Sequence, residues 1–384
     1  MDHTACARGV ARLQPSLVVN TNPSHEYRTP QVLAERLFTA ALATAELFTV
    51  YLGIRLGLYE ALALSGPVSA QMLAARAGIA PRYAREWLEQ QAIAGILEVN
   101  DEARSPEERL YLLPEGHCEA LLDAESAFCV APLALLPIGG IVNVLPRLEA
   151  AYRSGEGVPF EAYGREFQLA QAQLNRTVYQ NQLPRWIQKH LPDLHRTLSA
   201  GARMADLGCG LGWSSISMAR AYSKLRVDGF DREATAIAAA RASARDVAID
   251  DRVTFHAGDA RRLGVSTRYE LVCIFDALHD MSEPVEALRH CLQLLAPGGV
   301  VLLMEPNAAE AFRASATDGE RFLYAISLLH CLPVGLSEQP SAATGTVMRP
   351  HMVRHYAHEA GFASVTVYDV NHRFYRLYSL APRR

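Results

Sequence analysis

The second half of the sequence restricts the fold most, because short apolar segments alternate there with helical ones. Five segments are predicted to be strands, at residues 203–207, 226–230, 253–257, 271–275 and 300–304. Helical patterns fill the gaps, as at 214–221, 234–246 and 285–295. Strands separated by helices form a parallel sheet that is covered on both faces, so the sequence predicts an α/β domain. Its ligand is expected at the carboxyl ends of the strands.

The clearest motif follows the first of these strands. Residues 204–213 read Met-Ala-Asp-Leu-Gly-Cys-Gly-Leu-Gly-Trp, so that three alternate glycines, Gly208, Gly210 and Gly212, lead from a strand into a helix. Glycines let the backbone pass close to a ligand. The dinucleotide-binding fingerprint is G-x-G-x-x-G, and Trp213 occupies its third glycine position here. The motif therefore indicates a ligand other than a dinucleotide.

Three acids, Asp206, Asp231 and Asp259, lie at the ends of successive strands. Asp231 follows Gly212 by 19 residues, which is close to the spacing at which a carboxylate meets a ribose. At the end of the third strand, Asp259 is placed to accept a hydrogen bond from the amino group of adenine. Each acid alone is also typical of a helix cap or a solvated loop. Together they favour a cationic adenosyl ligand, because a pyrophosphate prefers positive groups.

With these motifs, residues 200–305 resemble class I S-adenosylmethionine-dependent methyltransferases. The run Leu-Ala-Pro-Gly-Gly at 295–299, before the fifth strand, is also usual in that family. The whole chain is similar to a bacterial subfamily of small-molecule methyltransferases with an N-terminal winged helix. The resemblance implies a Rossmann-like catalytic domain that binds S-adenosyl-L-methionine through a set of nine residues: Asp206, Gly208, Gly210, Gly212, Asp231, Asp259, Ala260, Phe275 and Asp276.

The segment Phe-Asp-Ala-Leu-His-Asp-Met at 275–281 resembles the His-Asp-Trp segment of small-molecule O-methyltransferases, although Met281 replaces the tryptophan. In that family the histidine deprotonates the acceptor hydroxyl. A phenolic acceptor titrates near pH 10 and benefits from such a base, so His279 is the predicted catalytic residue. The alternative is a structural histidine that caps the loop. Tyr163 and His330 are predicted to line the acceptor pocket, and packing is the alternative for both.

The first half of the chain is predicted to be mainly helical, and the chain divides near residues 190–200. We expect an N-terminal tail over 1–30, a helical domain over 31–190 and the catalytic domain over 191–384. A first helix is predicted from about 32 to 64, with a break at Gly53 or Gly57. A helix capped by Ser69, a second helix from Pro81 and two short extended segments around the loop 100–109 then form a winged-helix pattern.

The charges of this winged helix argue against DNA binding. Its would-be recognition helix carries two arginines and two glutamates, Arg82, Arg85, Glu86 and Glu89, and the wing is acidic. Phosphate contacts dominate DNA affinity, and the whole chain has a net charge of −4. We therefore expect a packing or dimerisation module, a homodimer, and no nucleic-acid partner. The alternatives are a cofactor-sensing transcription regulator and an enzyme that retains the cofactor but catalyses another reaction.

Cysteine and histidine spacing predicts no metal site. The seven cysteines are scattered, odd in number and form no C-x-x-C motif, which is typical of reduced thiols in the cytoplasm. His351, His355 and His358 share a face of a predicted helix, which is read as a polar surface.

Membrane signals are weak in the sequence. The uncharged stretch 126–146 is long enough to span a bilayer but contains prolines and glycines, which favours a buried helical pair. The first thirty residues lack the apolar core of a signal peptide, so no membrane partner is predicted.

Overall fold

A computed structural model describes residues 29–64, 66–259, 264 and 266–383 of the chain. Ala260 and nearly all of the predicted N-terminal tail therefore lie outside the described residues. Of the described residues, those up to Ala45 form one compact unit and those from Glu46 onward form another. The boundary lies within the long helix α1 (Pro30–Arg55).

The winged helix has the predicted order of elements. After the left-handed Gly57, at φ 65°, come α2 (Leu58–Ala63), α3 (Ala70–Ala77), α4 (Pro81–Ile93) and the antiparallel strands β1 (Glu98–Val99) and β2 (Tyr111–Leu112). Helix α3 begins where the Ser69 side chain accepts a hydrogen bond from the Met72 backbone and ends at the left-handed Gly78. The predicted break at Gly57 and the predicted caps are thus confirmed.

An aromatic pair forms the centre of this domain. The rings of Tyr59 and Trp87 pack edge to face with centroids 5.2 Å apart, and the Trp87 indole donates a hydrogen bond to the Thr49 carbonyl. Gly53 lies against both rings: a Cβ atom added there would be 2.6 Å from each of them. Glycine is therefore required at this position by packing.

Helices fill the chain from there to residue 200. They are α5 (Glu115–Leu122), α6 (Pro132–Leu136), α7 (Val142–Ser154), α8 (Gly164–Asn181), α9 (Leu183–His190) and α10 (Pro192–Ala200). A π-helical turn, Pro137–Ile141, joins α6 to α7. The predicted pair of helices in this region is therefore wrong, because the chain continues as one helical stretch. Its glycines, Gly139 and Gly140, lie against side chains of α8.

Two helical stretches are long and apolar enough to cross a membrane by length and composition. They are Pro30–Arg55, whose most apolar window is 6% buried, and Pro132–Ser154, whose window is 39% buried. Core helices satisfy the same criterion, so this is weak evidence for a membrane span.

The second half forms a seven-stranded sheet with helices between the strands. The strands are β3 (Arg203–Leu207), β4 (Arg226–Asp231), β5 (Val253–Ala257), β6 (Tyr269–Phe275), β7 (Leu295–Pro306), β8 (Phe362–Tyr368) and β9 (Tyr375–Pro382). The helices are α11 (Trp213–Ala221), α12 (Ala234–Asp246), α13 (Pro284–Leu294), α14 (Asp318–Ile326), α15 (Leu332–Leu336) and α16 (Pro350–Ala360).

 

Helix α16 spans Pro350–Ala360 and ends at the left-handed Gly361. His351, His355 and His358 are exposed on it, as the predicted polar face requires.

The order of the strands is β5-β4-β3-β6-β7-β9-β8, and the first five run parallel to one another. All five predicted strands and the three helices named with them are confirmed. The sequence analysis missed β8 and β9, which pair antiparallel with each other and with β7. Chain order reverses between β3 and β6, so the carboxyl ends of these two strands mark the expected ligand position.

Replacing Gly53 by alanine should destabilise the winged-helix domain. The added methyl group collides with two rigid rings, and overpacking of this kind costs roughly 1–3 kcal/mol. Gly116→Ala is the matched control, because Gly116 is exposed in α5 and a Cβ atom there meets nothing within 4 Å. That change should raise stability by up to about 1 kcal/mol. Urea unfolding of both variants measures the difference, and equal stabilities would contradict this packing.

Candidate active site

Two cavities lie at the carboxyl ends of the parallel strands. The first, of about 240 Å³, is lined by the loop after β3 and is called the glycine-loop cavity. The second, of about 250 Å³, contains His279 and is called the histidine cavity. Gln171, Asn175 and Asp276 line both cavities. The arrangement suits two ligands that bind next to each other, one in each cavity.

The loop after β3 is shaped by glycine. Gly208 and Gly210 have φ angles of 76° and 51°, in the left-handed region that glycine adopts without strain. A Cβ atom on Gly208 would be 3.1 Å from the side chain of Ala277. The Gly210 amide donates a hydrogen bond of 2.8 Å to Asp231, and the Glu233 amide donates one to the other carboxylate oxygen of Asp231. Asp231 thus connects this loop to the start of α12.

Asp206 and Gly212 support the loop from behind. Asp206 is buried, and the hydroxyl groups of Ser214 and Ser215 each donate a hydrogen bond of 2.6 Å to it. Burial raises the pKa of Asp206 to about 6, although the two serines oppose this shift. A Cβ atom on Gly212 would be 2.5 Å from the Phe255 ring. Neither residue is among the described residues that line the glycine-loop cavity, so their direct ligand contacts stay predictions.

The glycine-loop cavity is strongly acidic. Six carboxyl groups line it, those of Asp231, Glu233, Asp259, Asp276, Asp280 and Glu338. Arg232 is the one basic side chain among its described lining residues, and it is ion-paired with Glu338. Burial raises the pKa of Asp231, which is a cost of placing carboxylates together out of water. A cationic ligand relieves that cost, whereas a phosphate increases it.

Asp276 forms the wall between the cavities. Its φ angle of 54° is uncommon for a residue other than glycine, and such strain persists where the surroundings hold it. One carboxylate oxygen accepts hydrogen bonds from the Asn175 amide at 2.8 Å and the Tyr375 hydroxyl at 3.2 Å. Burial raises the pKa of Asp276 to about 7. Phe275, which precedes it, also lines the glycine-loop cavity, as predicted.

His279 is buried in the wall of the histidine cavity and is held by an acid from another strand. Its Nδ1 atom lies 2.6 Å from Oε2 of Glu305, which ends β7 and is fully buried. The other oxygen of Glu305 accepts a hydrogen bond from the Leu278 amide. On the opposite side of the ring, Nε2 lies 3.3 Å from Asp280 Oδ1. Glu305 was not predicted from the sequence, where its one signal is an acid that directly follows the predicted strand 300–304.

These acids control the protonation of His279. Burial alone would lower the pKa of the imidazole, but the carboxylates of Asp280 and Glu305 outweigh burial and raise the pKa well above its ordinary value. His279 therefore keeps its proton at a higher pH than a solvated histidine does. A base at this position is active above that pKa.

The histidine cavity is lined mainly by apolar side chains. Its walls include Leu133, Phe167, Phe322 and Ile326, and no lysine or arginine occurs among its described lining residues. His330 lines this cavity, and its contact with an acceptor stays a prediction. Burial lowers the pKa of His330 to about 4, which favours the neutral ring. Such a cavity suits an uncharged ring system.

Tyr163 supports His330 rather than lining either cavity in the described chain. Its hydroxyl donates a hydrogen bond of 2.8 Å to the Leu329 carbonyl, and its ring packs 4.7 Å from the His330 ring. The packing alternative therefore describes Tyr163 better than direct contact with an acceptor does.

Two family models match this chain. Residues 198–358 match a methyltransferase domain, and residues 43–122 match an Rv2258c-like winged HTH domain. Among curated proteins, 107 residues are 33% identical to 27-O-demethylrifamycin SV methyltransferase of Amycolatopsis mediterranei, covering 28% of this chain and 39% of that protein. A stretch of 117 residues is 32% identical to the ubiquinone biosynthesis O-methyltransferase of Ralstonia nicotianae, covering 30% and 45%. The chain thus spans less than half the length of these two relatives.

Solved structures resemble the chain over most of its length. Human N-acetylserotonin methyltransferase in complex with SAM has a TM-score of 0.68 at 18% identity and covers 91% of this chain and 97% of its own. The mitomycin 7-O-methyltransferase MmcR has a TM-score of 0.66 at 17% identity, with coverages of 92% and 99%. At these identities the likeness shows the fold. The chain therefore combines an Rv2258c-like winged helix-turn-helix domain with a methyltransferase domain of the class I fold.

Proposed function

We propose that this protein transfers a methyl group from S-adenosyl-L-methionine to a hydroxyl group of a small molecule. The observation that carries the proposal is the shared wall between an acidic cavity beside a glycine loop and an apolar cavity with a buried His279–Glu305 pair. When bound, S-adenosyl-L-methionine supplies an electrophilic methyl group on a positively charged sulfur. The relatives and the solved structures named above, which include O-methyltransferases, support the same chemistry.

The residues of the glycine-loop cavity suit this cofactor. Gly208 and Gly210 leave the backbone open to a ligand, and Asp231 is placed to accept hydrogen bonds from ribose hydroxyl groups. Asp259 lines the same cavity beyond β5, where the adenine amino group is expected. The excess of carboxyl groups attracts a cation and disfavours a pyrophosphate. These roles are proposals for each residue separately.

His279 is proposed as the base that removes the proton of the acceptor. Hydrogen bonding of Nδ1–H to Glu305 fixes the tautomer, so that the neutral ring presents the lone pair of Nε2. The proton of the acceptor hydroxyl moves to that atom as the oxygen becomes the nucleophile. Glu305 acts as a positioning residue, because it orients the ring without lining either cavity among the described residues.

The winged helix gives little support to a DNA-binding regulator. Three of its arginines are ion-paired with acids of the same domain: Arg82 with Glu86, Arg85 with Glu107 and Arg109 with Glu89. Arginines whose charge is already neutralised by carboxylates attract the phosphates of DNA less strongly. We propose instead that the N-terminal region mediates a homodimer.

The first helix supports that proposal. Four of its apolar side chains, Leu33, Leu37, Phe38 and Leu42, are between 49% and 70% exposed. An apolar face of this kind is typical of an interface between proteins.

A cytoplasmic location is proposed as well, since the six described cysteines are free thiols.

Asp231→Ala should weaken binding of S-adenosylhomocysteine. Loss of a charge-assisted hydrogen bond to ribose costs about 1.5–3 kcal/mol, or roughly 10- to 150-fold in the dissociation constant. Calorimetric titration measures this change, and Asp251→Ala, at an exposed site outside the cavity, is the control. Unchanged binding by a folded Asp231→Ala protein would remove this residue from the cofactor site.

His279→Ala should reduce turnover by about 10²–10⁴-fold, the usual contribution of a general base. Affinity for S-adenosylhomocysteine should stay nearly constant, because His279 does not line the glycine-loop cavity in the described chain. The defect should shrink for acceptors with a lower hydroxyl pKa. Label transfer from the methyl donor measures turnover, and His351→Ala on the exposed face of α16 is the control. A stable His279→Ala protein with full turnover would refute the base.

Glu305→Gln should move the acid limb of the pH–rate profile to lower pH. The Glu305 carboxylate raises the pKa of His279, so removing its charge lowers that pKa and leaves the base neutral at lower pH. The plateau rate should fall, because the amide orients the ring less strongly. The wild-type limb is expected above the ordinary histidine pKa of about 6.5. Profiles of kcat/KM for the acceptor test this, and a limb that does not move would show that another group controls it.

A further inference from the structure

Three side chains of metal-binding types meet beside the proposed base. One ligand atom each of His279, Asp280 and Cys331 lies within 4.8 Å of the others. His279 and Cys331 are buried and line the histidine cavity, whereas Asp280 lines the glycine-loop cavity. The sequence analysis predicted no metal site, because Cys331 is distant in sequence and belongs to no C-x-x-C motif.

The donor atoms of this cluster are incompletely satisfied by the protein. Asp280 Oδ1 is buried and receives no hydrogen bond from any described residue, although His279 Nε2 lies 3.3 Å away. On the other side of the ring, Nδ1 is bonded to Glu305. A carboxylate that holds one nitrogen of a histidine while the other nitrogen binds a metal is a recurring arrangement of metal sites.

The cluster is also short of positive charge. Asp276, Asp280 and Glu305 surround a single imidazole, and no lysine or arginine in the described part of the chain is ion-paired with any of the three. Burial raises the pKa of Asp276, the nearby His279 lowers it, and the carboxylates of Glu305 and Asp280 raise it. A divalent ion would supply the missing charge.

We propose that His279 Nε2, the Asp280 carboxylate and Cys331 Sγ bind a divalent ion of the zinc class. A set of one nitrogen, one oxygen and one sulfur suits zinc and its neighbours, whereas magnesium and calcium require oxygen ligands. Cys331 loses its thiol proton on binding, and His279 binds through the neutral ring. The affinity therefore falls as the pH is lowered.

The ion would control catalysis by competing with the proton. It occupies the same Nε2 lone pair that accepts the proton of the acceptor hydroxyl. A bound ion therefore blocks the base and inhibits methyl transfer. This consequence rests on the proposed function, but the binding site itself does not.

Cobalt is the probe for the binding site. Titration of the metal-free full-length protein with Co²⁺ should give a thiolate-to-cobalt charge-transfer band and the visible bands of a tetrahedral site, saturating at one ion per chain. Zinc should displace the cobalt, and magnesium should not. A wild-type spectrum without the charge-transfer band would overturn the proposal.

Four variants assign the ligands. Cys331→Ser should lose the charge-transfer band, whereas Cys129→Ser, a buried cysteine that lines the same cavity outside the cluster, should retain it. Asp280→Asn should keep the band and bind cobalt at least tenfold more weakly, and Glu305→Gln should weaken binding by about 10–100-fold. Circular dichroism confirms that each variant is folded. A band that persists in Cys331→Ser, or unchanged affinity in Asp280→Asn, would refute the assignment.

Activity supplies the second readout. Zinc should inhibit methyl transfer by the wild type at the concentrations that displace cobalt, and a chelator should restore it. Activation by zinc would overturn the inhibitory role. A protein that binds cobalt as described but transfers no label would refute the proposed function while supporting the metal site. An active protein without a cobalt spectrum would refute the metal site while supporting the proposed function.

Discussion

The hydrogen bonds to Asp276 hold the two cavities together. One oxygen of this carboxylate accepts from Asn175 of α8 and from Tyr375 of β9, and the Asp276 backbone amide donates to Met304 of β7. A single residue thus joins the helical half, the parallel strands and the C-terminal hairpin at the point where the cavities meet. Any shift of α8 or of the hairpin would change the wall between the two cavities.

The two cavities have opposite electrostatic character, and this difference assigns their ligands. Carboxyl groups dominate the glycine-loop cavity, whereas the histidine cavity is lined mainly by apolar groups. The buried His279–Glu305 pair lies at the edge of the apolar one. Removing one partner of such a pair leaves an uncompensated buried charge, which costs about 3–5 kcal/mol. The pair therefore contributes to the stability of the fold as well as to the proposed chemistry.

The sequence predicted the parts of this site that are local in the chain. The glycine loop, Asp231, Asp259 and the segment around His279 all follow strands whose apolar pattern is plain, and the structure brings them to one edge of the sheet. Glu305 lies 26 residues from His279, and Tyr375 lies 99 residues from Asp276, so neither partnership follows from any spacing. Strands β8 and β9 were not predicted because no helix separates them, so they do not continue the alternation of strands and helices by which the other five were recognised.

Asp206 makes contacts that its motif does not reveal, and its predicted contact with the cofactor stays a prediction. The acid that ends the first strand looks in sequence like a ligand-binding residue, but its carboxylate points to the serines of α11 beneath the loop. The direction in which the Asp206 carboxylate points is therefore set by the two serines of the following helix.

The acidic wall imposes a compromise on the proposed base. Carboxylates that attract a cationic cofactor also stabilise the imidazolium form of His279, and that form cannot accept a proton. A more acidic site would bind the cation better, but it would raise the pKa of His279 further, so that the base would become neutral only at a higher pH. Apolar walls around the histidine cavity work in the opposite direction, because burial favours the neutral ring. The same carboxylates favour the proposed metal ion, because an ion on Nε2 brings positive charge to the atom that otherwise carries the proton.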